Sequence, residues 1–158
     1  MLMKHLKNLR KDFDELTIDH IKDILMDPID RDIINLRTIR NLELESTGVP
    51  EWRNSYVDFN GNTSNRELTK DHIFLNVAIT SHDNFTKSRL SVNANYAYEY
   101  SMEILKRYLR RIYNDYNVDI FIRIMPKVLN ASENEVSRCN IFILPSLVQS
   151  LYRKDTKI

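Results

Sequence analysis

The apolar positions along the chain keep a helical spacing for the first third, then switch to a strand spacing that one long helical stretch interrupts. Leu2, Leu6, Leu9, Phe13 and Leu16 step by four, three, four and three, which places them on one stripe of a helix. Thr17 is suited to cap a second short helix through Ile18, Ile21, Ile24 and Leu25. Asp27-Pro28 reads as a further start signal, because proline at the first helical position loses no hydrogen bond, and it predicts a third helix carrying Ile29, Ile33 and Leu36. Leu42 to Glu45 then alternates with a period of two.

Gly48, Pro50 and the polar stretch from Asn60 to Asn65 mark the switch to extended chain. Tyr56 to Phe59 is a short strand candidate leading into the turn signal Asn60-Gly61. The clearest strand runs from Asp71 to Thr80, where Ile73, Leu75, Val77 and Ile79 alternate with His72, Phe74, Asn76 and Ala78. The clearest helix runs from Asn95 to Tyr116. At 100° per residue, Tyr98, Met102, Leu105, Leu109, Ile112 and Tyr116 share one arc, while Lys106, Arg107, Arg110 and Arg111 share another. Asp119 to Lys127 and Glu135 to Leu144 read as a hairpin, the first with Ile120, Ile122 and Ile124 on one face, the second with Cys139, Ile141 and Ile143 on one face and Phe142 and Leu144 on the other. Pro145 stops the second strand, and Leu147, Val148, Leu151 and Tyr152 suggest a short closing helix. The expected fold is therefore α+β, a single domain over residues 1–158: short N-terminal helices and an antiparallel sheet of about four strands, with the long amphipathic helix packed on one face.

Composition removes several chemistries. With only Gly48 and Gly61 in 158 residues, neither a dinucleotide fingerprint nor a phosphate-cradling loop can be written. The single cysteine, Cys139, excludes an internal disulfide framework and a multi-cysteine metal site, and inside a strand pattern it reads as a small buried hydrophobe. The first fifteen residues intersperse Lys4, His5, Lys7, Arg10 and Lys11 among apolar ones, so no signal peptide is expected, nor is there an apolar run long enough for a membrane span. The expected location is intracellular, in a host cytoplasm or a virion. Asparagine triplets at Asn62, Asn84 and Asn130 read as chance occurrences in such a chain. An excess of isoleucine and asparagine over alanine is the bias of AT-rich genomes, those of many viruses and phages among them.

Candidate catalytic groups do not assemble into a set. Asp19, Asp23 and Asp27 are four apart, the pattern of a solvated helix face as much as of a metal site. His72 and His82 stand about 33 Å apart at ~3.3 Å per extended residue, too far to share a metal. Arg66 and His72 have a spacing that resembles the R-x5-H motif of HEPN-type ribonucleases, but that family carries its motif on a helix and this one enters the best strand. No catalytic, cofactor-binding or metal-ligating residue is assigned, and the chain is expected not to be an enzyme.

The net charge is +1, yet the last third carries four more basic than acidic residues. Much of that excess lies in Lys106, Arg107, Arg110 and Arg111, the residues expected to meet a partner or nucleic acid. Glu103 precedes Lys106 by three and Arg107 by four, so an ordinary salt-bridged face is the competing expectation. The order helix, strand, amphipathic helix, hairpin is similar to that of bacteriophage neck and tail-terminator proteins, which form rings around a virion axis. That resemblance, one of element order over most of the chain with no shared motif, implies a subunit of a viral or bacteriophage particle. The functional expectation is a structural or assembly subunit whose partners are other protein subunits, in a homo- or hetero-oligomer. The alternative is a small nucleic-acid-binding protein using the basic helix, with no membrane partner in either case.

Overall fold

The computed structural model describes residues 9–26, 32–41, 55–63, 66, 71–81, 93–127 and 135–147. The described residues form two α-helices, α1 (Ile18–Leu25) and α2 (Ala94–Asp115), and four strands, β1 (Ile33–Arg40), β2 (Ile73–Thr80), β3 (Val118–Pro126) and β4 (Glu135–Pro145). Among the described residues the strands form one antiparallel sheet in the order β1-β2-β4-β3. The fold is α+β.

Each end of α2 has a local cause. The Asn93 side chain accepts a hydrogen bond from the backbone N–H of Tyr96, satisfying one orphan donor of the first turn, and the chain turns extended at Tyr116. Met102, Leu105, Tyr108, Leu109 and Ile112 are buried against Ile73, Leu75, Val77 and Ile79 of β2 and the isoleucines of β3 and β4. Ser101 and Ser137 meet at Oγ–Oγ 2.6 Å, where two small side chains let α2 approach β4 closely. Helix α1 is capped by Thr17, whose hydroxyl accepts from the His20 N–H, and it buries Ile21 and Leu25 over β1.

The sheet is apolar on its second face as well. Phe74, Phe121, Phe142 and Leu144 are buried there with Tyr56, and the rings of Tyr56 and Phe74 lie 5.2 and 5.1 Å from that of Phe142. His72 joins them, buried with its ring 5.6 Å from Phe142. Further along the same face the pairing turns polar, where Asn76 donates to Asn140 across β2 and β4 at 2.8 Å.

Three expectations require correction. Ile33 and Leu36, expected on a third helix, lie instead on β1, whose residues pair with β2 from Ile33 to Arg40. Lys11 lies in a parallel bridge with Tyr116 and residues 13–15 form one 3-10 turn, so the first helical stripe does not continue through Phe13 and Leu16 as an α-helix; Leu9 is exposed. Arg40 accounts for this local geometry: its guanidinium lies over the Phe13 ring and donates to the carbonyl oxygen of Leu16 at 2.6 Å. Finally, the short strand candidate Tyr56–Phe59 is reduced to isolated bridges at Val57, to Thr63 and to Ile122 on the outer edge of β3, and the fourth strand of the sheet is β1. The turn after it is present, with Asp58 accepting from the N–H groups of Asn60 and Asn62 and with positive φ at Gly61. The first helical residues, Leu42–Glu45 and the closing helix beyond Leu147 lie outside the described residues.

At the loop end of the β3–β4 hairpin, Glu135 accepts from Arg138 at 2.6 Å and from Lys127 at 3.1 Å. Burial alone would raise its carboxyl; the hydrogen bonds from Arg138 and Lys127, with their charges, outweigh that and hold it below the ordinary value. The stabilisation is therefore present above the unfolded-state carboxylate pKa and is lost as pH falls through the lower folded one. Glu135→Gln is expected to cost less than about 1 kcal/mol at neutral pH, in keeping with a largely solvated cluster. The gap between wild type and variant in urea titrations should start to narrow as the pH falls past the ordinary glutamate value of about 4.3 and close only below the lower folded one.

Candidate functional site

The cationic arc of α2 points away from the sheet, as its apolar arc requires, and the structure divides its four residues. Arg107, 56% exposed, reaches sideways to Asp32 just before β1, with Nη2 2.5 Å from the carboxylate. Lys106 and Arg110 both line a hollow of about 550 Å³ on the β3 side of the helix, together with Asp58, Phe59, Tyr113 and Asp119. Arg111 lies further round and lines a second hollow with Arg10, Lys11 and His20. The four thus form a band along the helix, and Arg107 is partly engaged.

The competing expectation of a salt-bridged face is tested by Glu103. Among the described residues Glu103 forms no ion pair with Lys106 or Arg107, and Lys106, Arg110 and Arg111 form none with any acid. The acids on the wall of the first hollow have other work. Asp58 holds the turn N–H groups of Asn60 and Asn62, and Asp119 holds Arg66 and the Leu147 N–H.

Sequence reasoning missed the rest of this surface. Tyr113 is 40% exposed, its ring 5.5 Å from that of Phe59 and 6.0 Å from the Arg10 guanidinium. Lys11 lies 5.9 Å from the Tyr116 ring, and its backbone N–H donates to the Asp115 carbonyl oxygen at 2.9 Å. Tyr113 stands three residues after Arg110, a spacing that puts it beside that cation, and this much was readable. The arrival of Arg10 and Lys11 from a hundred residues away was not.

The remaining candidates resolve into structural roles. Arg66 is largely buried, its Nη1 2.6 Å from Asp119 Oδ2 and 2.8 Å from the Pro145 carbonyl oxygen, while His72 is packed on the opposite face of the sheet from α2. Cys139 is fully buried in β4 against Ser137, and burial pushes its thiol up to about 12. Among the described residues no three histidine, cysteine or carboxylate groups come together as a metal would need. Nor is any helix among them long and apolar enough to cross a membrane.

A second surface feature lies at the sheet margin. Among the described residues nothing pairs with the outer edge of β1, whose register shifts at Leu36 between Asn35 and Arg37. Ile34 and Leu36 on this strand are 48% and 46% exposed. Comparison with protein-family models, with curated proteins and with solved structures finds no match.

Proposed function

We propose that the chain is a non-enzymatic structural or assembly subunit of a larger oligomeric complex, joined to its neighbours along the edge of β1. The observation that carries this reading is the pair of exposed apolar side chains, Ile34 and Leu36, on a strand whose outer N–H and C=O groups face no other described strand. Such an edge is a template for a further strand, and chains that stay alone blunt it with charged side chains, above all lysine, with proline, with bulges or by short length. β1 is eight residues long and carries no lysine or proline; Arg37 is an exposed charge on it, and Ile34 and Leu36 beside that charge stay exposed as well. Its bulge at Leu36 twists the edge and turns a large apolar side chain outward.

The neighbour on this edge is a strand of another subunit, supplying main-chain hydrogen bonds and an apolar contact for Ile34 and Leu36. A place in a viral or bacteriophage particle is the finer form of the proposal. It rests on element order and on the AT-rich codon bias, and the replacement of the third helix by β1 alters that order.

Light scattering on a sizing column, run on the full chain, tests the proposal. The expected mass is a multiple of one chain, and Leu36→Lys combined with Ile34→Lys is expected to return it to that of one chain with an unchanged circular-dichroism spectrum. A wild-type chain that elutes as a monomer at every concentration overturns the proposal.

A further inference from the structure

We infer that the cationic band on α2 binds single-stranded nucleic acid, with phosphates along Lys106, Arg110 and Arg111 and an unpaired base stacked on Tyr113. Three observations meet here. The first is charge without a partner: an inert solvated face would be expected to use Glu103, placed at the right spacing, yet Glu103 pairs with neither Lys106 nor Arg107, and the cations of the band other than Arg107 are uncommitted among the described residues. Asp58 and Asp119, which share the hollow with Lys106 and Arg110, are already holding N–H donors of their own surroundings.

The second is an aromatic ring set among those cations. Tyr113 is partly exposed yet held in place, with Phe59 on one side and the Arg10 guanidinium near its ring. A held, accessible ring beside a track of positive charge is the arrangement on which unpaired bases stack while the backbone follows the charges. The third is continuity, since Arg10 and Lys11 extend the band past the end of the helix.

These observations also choose among ligands. Carboxylates of an acidic protein would satisfy the cations but would gain nothing from the ring. The bases of a duplex are stacked on one another and offer it no free face. An unpaired strand uses both. The proposal rests on other residues than those of the β1 edge and stands or falls apart from it.

The test is fluorescence anisotropy of the full chain with a labelled oligothymidylate of about 20 nucleotides, longer than the ~4–16 that comparable sites cover. Binding is expected at about 50 mM salt, with a linear fall of log affinity against log salt. Arg110→Gln with Arg111→Gln should lower that slope by about 1.4, since each single-strand phosphate contact contributes about 0.7. Tyr113→Leu should weaken binding about tenfold with the slope unchanged, and Tyr113→Phe should bind as wild type does. Circular dichroism confirms that each variant is folded, and the arginine pair, being exposed, keeps the test open if Tyr113→Leu is not. Absence of binding at low salt overturns the inference. So does competition by polyglutamate as effective as by unlabelled oligothymidylate with no effect of Tyr113→Leu, which would assign the band to an acidic protein surface.

Discussion

Leu105→Ala is expected to destabilise the fold by about 2 to 5 kcal/mol, toward the upper end of that range. Leu105 is fully buried where α2 lies on the sheet, chiefly over β3 and β4, and it shares its core with β-branched side chains of the ladder, among them Ile120, Ile122 and Ile141. A ladder fixed by hydrogen bonds on both sides cannot close over a missing isobutyl group, so the loss includes the cavity as well as the transfer of the removed atoms. Domains of this size are stable by about 5 to 15 kcal/mol, so Leu105→Ala joined to Leu109→Ala should leave a chain that is largely unfolded. Urea titration checks this, with the midpoint moving and the slope unchanged for the single variant. A loss under about 1 kcal/mol would mean that the helix does not sit on this face.

Arg66→Ala is expected to cost about 1.5 to 3 kcal/mol, the range for hydrogen bonds to a charged group. One guanidinium nitrogen, Nη1, serves both the Asp119 carboxylate and the carbonyl oxygen of Pro145, so its removal strips two acceptors together. The side chain of Asp119 is a third exposed and keeps the Leu147 N–H, which holds the cost below that of breaking a fully buried ion pair. Because the residues act as a unit, Arg66→Ala combined with Asp119→Asn should cost little more than the worse single change in a denaturant-based double-mutant cycle. Additive losses would show that the two contribute separately.

How much of this was legible in the sequence depends on whether the determining contact is local. The faces of β2, β3, β4 and α2 follow from their periodicity, and Ile73, Leu75, Val77 and Ile79 lie in one core with Leu105, Leu109 and Ile112. β1 was misread because its bulge hides the period. Ile33, Asn35, Thr38 and Arg40 face α1 and the core, so the step of two is interrupted by a step of three. Ile29, Ile33 and Leu36 then imitate a helix stripe, while the pairing that fixes the strand comes from residues some forty positions later. The second apolar face was half visible, in Phe142 and Leu144. At the candidate site the four cations of α2 were found from their arc; Asp32, Phe59, Arg10 and Lys11 reach it only through tertiary structure.

The strand order carries a kinetic consequence. α2, β3 and β4 are contiguous in the chain, and the β3–β4 hairpin closes over a short loop, so these three elements can meet early at a small loss of chain entropy. β2 must find β4 across 55 to 70 positions, from Thr80–Glu135 to Ile73–Ile143, whereas β1 meets β2 across only 33 to 46. The shorter closures are expected to come first, so the sheet is expected to join from two antiparallel pairs, β1–β2 and β3–β4, with the seam between β2 and β4 made last. Until that seam closes, the inner edge of each pair stands open, and the edge of β2, nearly all of it apolar, is the one most prone to take the wrong strand in a chain paused during synthesis or refolding.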